Sequence, residues 1–407
     1  MKIKLLAFLL IIFCSCGRKS TNEKDNTDSV LEIDLLSEPG SKVKKLSELA
    51  ANIEYIPLQT TESSLMGSVR HKIVNIDKRI YIKNIEGISR ASILCFDMDG
   101  KFLFEIENTG RGPEEYTNIE DFDVNSDNKF LTILSSLIHK LLVYGISDTG
   151  FTFHRSITLK DPAPFRVSMV PETDKVFLAI PPWRGTEPTL SLLINTVGDT
   201  IHLKPNCYQY KLVRKMNYRA GNEMLVYSIG KMVGFKEEFS DTVFYVDTKD
   251  NSFKPRIIFD SHSTFFTPEM RGGSETSGNQ TNFVANLFET SRYVFYWCGT
   301  IDNRKRILFD KKTNTKYKLD TDSELKSELK DDLSGGPDFN IEFIKNYCSG
   351  GKLFSFVEAI TLKKYVAGED FKNAKVRDPK KKNELKNLAD SLKETDNPVL
   401  IIVTPKE

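Results

Sequence analysis

Ile73-Val74-Asn75-Ile76-Asp77-Lys78-Arg79-Ile80-Tyr81-Ile82, then Ile93-Leu94-Cys95-Phe96, Asp97-Met98-Asp99-Gly100 and Lys101-Phe102-Leu103-Phe104-Glu105-Ile106, form a unit that the rest of the chain repeats. The apolar runs have strand length, and the Asp-rich, Gly-ended tetrad reads as a hairpin turn with Gly100 where a positive φ is needed. A second copy runs through Phe122-Asp123-Val124, Phe130–Leu134 and Lys140–Tyr144 and turns at Ser147-Asp148-Thr149-Gly150. A third goes from Phe165 through Val176–Ile180 and Leu190–Ile194 to Gly198-Asp199. A fourth starts near Glu223 and includes Thr242–Asp247, and a fifth takes Tyr293–Trp297 and Arg306–Asp310. The last covers Lys352–Val357 and closes with Val399–Val403.

The copies start near residues 73, 122, 165, 223, 285 and 343, intervals of 43 to 62 residues. That is the period of a propeller blade with insertions, so the expectation is an all-β, six-bladed β-propeller over residues 30–407. An open ring would leave strand edges unpaired. Ile53–Leu58, a strand ahead of the first copy, is therefore expected to share a blade with Val399–Val403. One or two short inserted helices are expected. Glu384–Lys393 puts Leu385, Leu388, Ala389 and Leu392 on one stripe before Asp396-Asn397-Pro398, and Ser323–Leu333 carries Leu325 and Leu329.

The 407 residues hold 57 Lys+Arg against 56 Asp+Glu. A nucleic-acid binder would need a concentrated basic excess, so no nucleic-acid partner is expected. The five histidines are scattered and no cysteines pair as C-x-x-C, so neither a metal site nor a cofactor is expected. Cys95 and Cys298 sit in apolar runs and read as buried free thiols.

At the start, Lys2 and Lys4 precede the unbroken apolar run Leu5–Phe13. The run is too short to span a bilayer and fits the h-region of a signal peptide, residues 1–15. Ser15-Cys16-Gly17 resembles the lipobox of bacterial lipoproteins, which implies lipidation of Cys16; Phe13 and Cys14 depart from its usual pattern, and cleavage before Cys14 stays open. Residues 16–29 are polar and read as a flexible tether. The expected location is the outer membrane, lipid-anchored, facing the periplasm or the cell surface.

Thr109-Gly110-Arg111-Gly112-Pro113-Glu114-Glu115-Tyr116 cannot be a regular strand. It reads either as a crossover between blades, with Tyr116 packed, or as a channel-mouth loop where Arg111 with Glu114 or Glu115 meets a polar ligand. Trp183, on Pro181-Pro182-Trp183-Arg184-Gly185, could stack on a sugar or pack against a neighbouring blade. The Gly/Ser-rich stretch Gly272–Asn282 reads as a surface excursion or a docking loop. No G-x-S-x-G is present and no pair of catalytic carboxylates can be picked out, so the catalytic residues are unknown.

Taken in order, Ile56-Pro57-Leu58-Gln59-Thr60, the strand pair Ile73–Ile82, Phe96–Phe102, Gly110–Tyr116 and Asp396-Asn397-Pro398-Val399-Leu400 resemble the six-bladed β-propeller lipoproteins of Bacteroidota. The resemblance covers roughly residues 30–407 and is strongest over 52–150 and at the C-terminus. It implies a propeller on a lipid anchor in the cell envelope and carries no catalytic residue. The expected function is a non-catalytic binding or protein-interaction module, its partner an envelope protein or an extracellular ligand. The alternative is a channel-centred hydrolase or lyase acting on glycan or polymer fragments.

Overall fold

The computed structural model describes residues 30–407 except 68, 77–78, 87–89, 214–222, 274–280, 301–302, 320–327 and 342–347. The signal peptide, the tether, Cys14 and Cys16 lie outside the described residues, as do the first five residues of the helix expected over 323–333 and most of the loop expected over 272–282.

Six sheets of four or five strands surround a central axis. Blade 1 holds Val69–Ile76, Arg79–Glu86, Arg90–Asp97 and Phe102–Ile106, from the innermost strand outward. Blade 2 holds Asp121–Val124, Phe130–Ser135, Lys140–Ile146 and Phe151–Thr158. Blade 3 holds Arg166–Met169, Val176–Ala179, Thr189–Ile194 and Thr200–Pro205. Blade 4 holds Met224–Ile229, Met232–Glu237, Thr242–Asp247 and Ser252–Asp260. Blade 5 holds Phe283–Glu289, Tyr293–Gly299, Arg304–Asp310 and Thr315–Lys318. Blade 6 is built from both ends of the chain: Cys348–Ser349, Lys352–Val357 and Val399–Pro405, then Ala50–Pro57 outermost, with Ile53 opposite Val403. The ring closes as the sequence predicts.

The apolar runs are continuous because each blade is buried on both faces. In blade 1, Tyr81, Ile93 and Cys95 belong to the core shared with blade 2, while Ile80, Ile82, Leu94 and Phe96 belong to the core shared with blade 6. Asp97 Oδ1 accepts from Asp99 N and Lys101 N, and Gly100 has φ +81°, which makes the Asp-rich tetrad the expected turn.

Three features were not legible. Leu31–Asp34 adds in parallel to the outer strand of blade 4, with Leu31 opposite Ile257. The chain then runs along the edge of blade 5, where Gly40 N and Val43 N donate to Lys316 O and Lys318 O. After Ala50–Pro57 it reaches blade 1, where Gln59 N donates to Gly100 O. Second, the helical insertion in blade 6 is larger than expected. Pro379–Ser391 starts five residues before the expected helix, capped by Asp378, whose carboxylate accepts from Lys380 N and Lys381 N. Ala359–Ala367 and Glu369–Asn373 precede it. Third, the helix expected over Ser323–Leu333 is not formed in its described part. Glu328–Leu329 pairs with Phe339–Asn340, and Asp331 accepts from Leu333 N, Ser334 N and Gly336 N to close a turn. An Asp side chain that takes up nearby backbone donors competes with helix formation.

Candidate functional site

The six innermost strands face a central channel, and polar side chains join one strand to the next. Lys72 Nζ of blade 1 donates to Asp121 Oδ1 of blade 2 at 2.9 Å. Asp121 Oδ2 accepts from Val167 N of blade 3, and Asp123 Oδ2 accepts from Ser168 Oγ and Met169 N, both at 2.8 Å. Ser168 and Ser228 of blade 4 meet at 3.2 Å. Tyr227 donates to the Glu289 carboxylate of blade 5, which also accepts from Arg256 Nε at 2.8 Å and Lys311 Nζ at 3.1 Å. Ser349 Oγ of blade 6 accepts from Asn75 N of blade 1 at 2.8 Å.

Between these contacts remains a cavity of about 110 Å³. Its wall includes Lys72, Asp123, Ser168, Ser228 and Asn286, with Val124, Val167, Leu287 and Phe288 as apolar surface. Burial pushes the Asp123 carboxyl above the usual carboxylate range, against the pull of Lys72 and of its donors Met169 N, Ser168 Oγ and Val124 N. Burial lowers Lys83, with Asp121 and Glu120 acting in the opposite sense. Glu289 is also buried, yet Arg256 and Lys311 hold it below the usual range.

A second ionisable cluster lies in blade 4. Lys236 is 1% exposed, and burial lowers it to about 7. Burial and the neighbouring Glu223 raise Glu238 to about 8, while Glu223 is paired with Arg271 at 2.5 Å. Among the described residues, no three His, Cys, Asp or Glu side chains come together as a metal site would need.

The residues singled out by sequence lie elsewhere. Thr109–Tyr116 forms a crossover from blade 1 to blade 2. Gly110 N donates to Tyr116 O, and Gly112 N to Glu115 Oε2 at 2.7 Å. Tyr116 is buried, and its hydroxyl donates to Ala91 O at 3.0 Å. Glu114 O accepts from Tyr144 OH, while the Arg111 side chain is exposed. None of Arg111, Glu114, Glu115 and Tyr116 lines the channel cavity. Trp183, half-buried on blade 3, meets Phe165 edge-on at 4.8 Å. Cys95 and Cys298 are buried free thiols, and burial pushes Cys95 up to about 12.

Lys72 and Asn286 of the cavity wall were missed. The available signal was a polar residue inside an apolar strand: Asn286 interrupts Phe283-Val284-Ala285-Asn286-Leu287-Phe288. Asp121 and Asp123 flank Phe122 in the same way.

This geometry defines the class, a closed six-bladed β-propeller. The chain belongs to the DUF4934 family, a domain of unknown function, whose profile spans residues 31–404. No curated protein matches the chain in sequence. Among solved structures, a Bacteroides fragilis protein predicted to be exported is 18% identical, with a TM-score of 0.62 over 93% of this chain and all of that one. That likeness supports the fold. Hydrazine synthase of Kuenenia stuttgartiensis, 12% identical with a TM-score of 0.42 over 85% of this chain and 90% of that one, is too distant to carry an argument.

Proposed function

We propose that this protein is a lipid-anchored binding module of the cell envelope that docks a partner protein on the outer edge of blade 3 and does no chemistry there. The observation that carries this reading is the edge strand Thr200–Pro205. Its outward face shows Ile201 and Leu203, and the preceding turn shows Val197, 64% exposed. Exposed apolar side chains on an unpaired edge are a natural template for a partner strand or loop.

The channel supports the same reading. Its polar side chains are largely engaged in joining the blades, and about 110 Å³ is small beside the roughly 300–1,000 Å³ of ordinary ligand pockets. A glycan or polymer chain does not fit that space. The anchor rests on Cys16 and the polar residues from Gly17 to Ser29. Thirteen residues reach at most roughly 45 Å when extended. They lead into the outer edge of blade 4, where Leu31–Asp34 is paired.

In-cell crosslinking of the full chain tests the reading. We expect a stoichiometric envelope protein to be captured by the wild type and lost with Leu203→Asp. An empty capture, or the same capture by both, rejects it.

A further inference from the structure

Of the six innermost strands, two carry a β-bulge among the described residues. In blade 1 the pairing shifts between Arg70 and Ile73, and in blade 5 between Val284 and Asn286. The innermost strands of blades 2, 3, 4 and 6 pair without a shift. A bulge adds one unpaired residue and re-aims the side chains beside it. Lys72 lies within the first bulge and Asn286 directly after the second, and both side chains line the channel cavity.

Both bring hydrogen-bond donors that the protein does not use up. Asn286 is 8% exposed. Its Oδ1 accepts from Leu287 N at 2.9 Å, which fixes the amide orientation and leaves Nδ2 without a partner among the described residues. Lys72 spends one of its three donors on Asp121. Acceptors are present too: among the described residues, Asp123 Oδ1 takes one hydrogen bond, from Val124 N, and Ser228 Oγ makes one, with Ser168 Oγ. The charged side chains that line the cavity among the described residues are of opposite sign, Lys72 and Asp123. Val124, Val167, Leu287 and Phe288 supply carbon contact.

We propose that this cavity binds a small uncharged polyol, whose hydroxyl oxygens accept from Asn286 Nδ2 and Lys72 Nζ and whose hydroxyl hydrogens turn to Asp123 and Ser228. The balanced charge disfavours an anion or a cation, because either would enter a low-dielectric space with no counter-charge to spare. Free donors and free acceptors on one wall match a group that is both, and a hydroxyl is both. The volume of about 110 Å³ sets the size at a molecule of glycerol's dimensions. This site is independent of the docking edge, so either reading can fail alone.

The test is a saturation-transfer NMR titration of the purified full chain with glycerol, with acetate and ethylammonium as charged probes of similar size. We expect saturable glycerol binding, weakened about tenfold in Asn286→Leu and about threefold in Ser228→Ala, as loss of one or two neutral hydrogen bonds predicts. Leu203→Asp should bind glycerol as the wild type does. Should Asn286→Leu fail to fold, Ser228→Ala decides alone. Non-saturable glycerol signal, affinity unchanged in the folded variants, or tighter binding of acetate or ethylammonium overturns the proposal.

Discussion

Blades 4, 5 and 6 meet solvent through added chain, whereas blades 2 and 3 meet it through their own fourth strands. Leu31–Asp34 lies outside blade 4, the residues around Gly40 to Val43 lie along blade 5, and helix Pro379–Ser391 lies against the outer strand of blade 6, where Lys381 Nζ donates to Ile53 O at 2.8 Å. Blade 2 leaves Phe151–Thr158 uncovered but turns Thr152, His154, Ser156 and Thr158 outward, and its pairing is bulged near His154. Those are the devices by which an edge avoids unwanted pairing. The outer strand of blade 3, Thr200–Pro205, has no added strand beside it among the described residues; its pairing is bulged too, beside Ile201, but it turns the apolar Ile201 and Leu203 outward. Three edges are thus overlaid by added chain and that of blade 2 is polar, whereas the edge of blade 3 turns apolar side chains outward, the contrast on which the proposed docking edge rests.

Truncations in the two kinds of edge strand should differ most. Ile33 in the added strand of blade 4 is 1% exposed, in the core shared with blades 5 and 6. Ile33→Ala should cost about 2–5 kcal/mol in denaturant unfolding, the range for a buried Ile truncated in a packed core. Leu203→Ala on the bare edge should stay within about 0.5 kcal/mol. Equal losses would mean that the added strand does not contribute to the core as its burial indicates.

A matched pair of turn glycines sharpens the point. Gly100 has φ +81°, and a Cβ there would stand 2.2 Å from the Pro57 carbonyl oxygen of the covering chain. Gly100→Ala should therefore cost about 1–3 kcal/mol. The corresponding Gly150 of blade 2 has open space around it, so Gly150→Ala should change stability by less than about 0.5 kcal/mol.

The pH profile separates blade 4 from the rest. Glu238 is raised from an ordinary 4.5 to about 8, so between those values the folded state holds a proton that the unfolded state has released. Stability then falls as pH rises from about 4.5 to about 8. Glu238→Gln should reduce that slope, as read from unfolding midpoints at pH 5 to 8, leaving the part carried by Glu237 and Asp123, which burial also raises. A slope of the same size in the variant would assign it to another group.

Lys236, lowered from 10.5 to about 7, contributes in the opposite sense at higher pH. The unfolded chain binds the extra proton between those two values, so stability rises as pH climbs from about 7 to 10.5. Lys236→Met should flatten this limb; the nearby carboxylates Glu238, Glu237 and Asp241 oppose part of the effect of burial. An unchanged alkaline limb would show that Lys236 keeps its charge when folded.

Most of the ring was legible because its signal is local. Ile93-Leu94-Cys95-Phe96 is apolar at every position, as only a strand buried on both faces needs to be, and Asp97–Gly100 specifies its own turn through one side chain. Closure followed from the requirement that strand edges be paired. The helix at Pro379–Ser391 showed its apolar stripe, but its start was misplaced because Asp378 and Pro379 were not read as cap and first residue. Leu31–Asp34 is four residues long and carries too little pattern to be called a strand without blade 4 beside it.

The candidate site was not legible for a related reason. Arg111, Glu114 and Trp183 are conspicuous in sequence, yet the structure uses the first two in a crossover loop and packs the third against Phe165. Lys72 and Asn286 look ordinary, and a bulge aims each of them at the channel. The sequence by itself determined the six repeats, the double-sided burial and the closure, since these follow from hydrophobic pattern and turn chemistry within a few residues. The tertiary structure decided which edges are covered, where the bulges fall and which polar atoms face the axis, because each depends on the register between strands far apart in the chain.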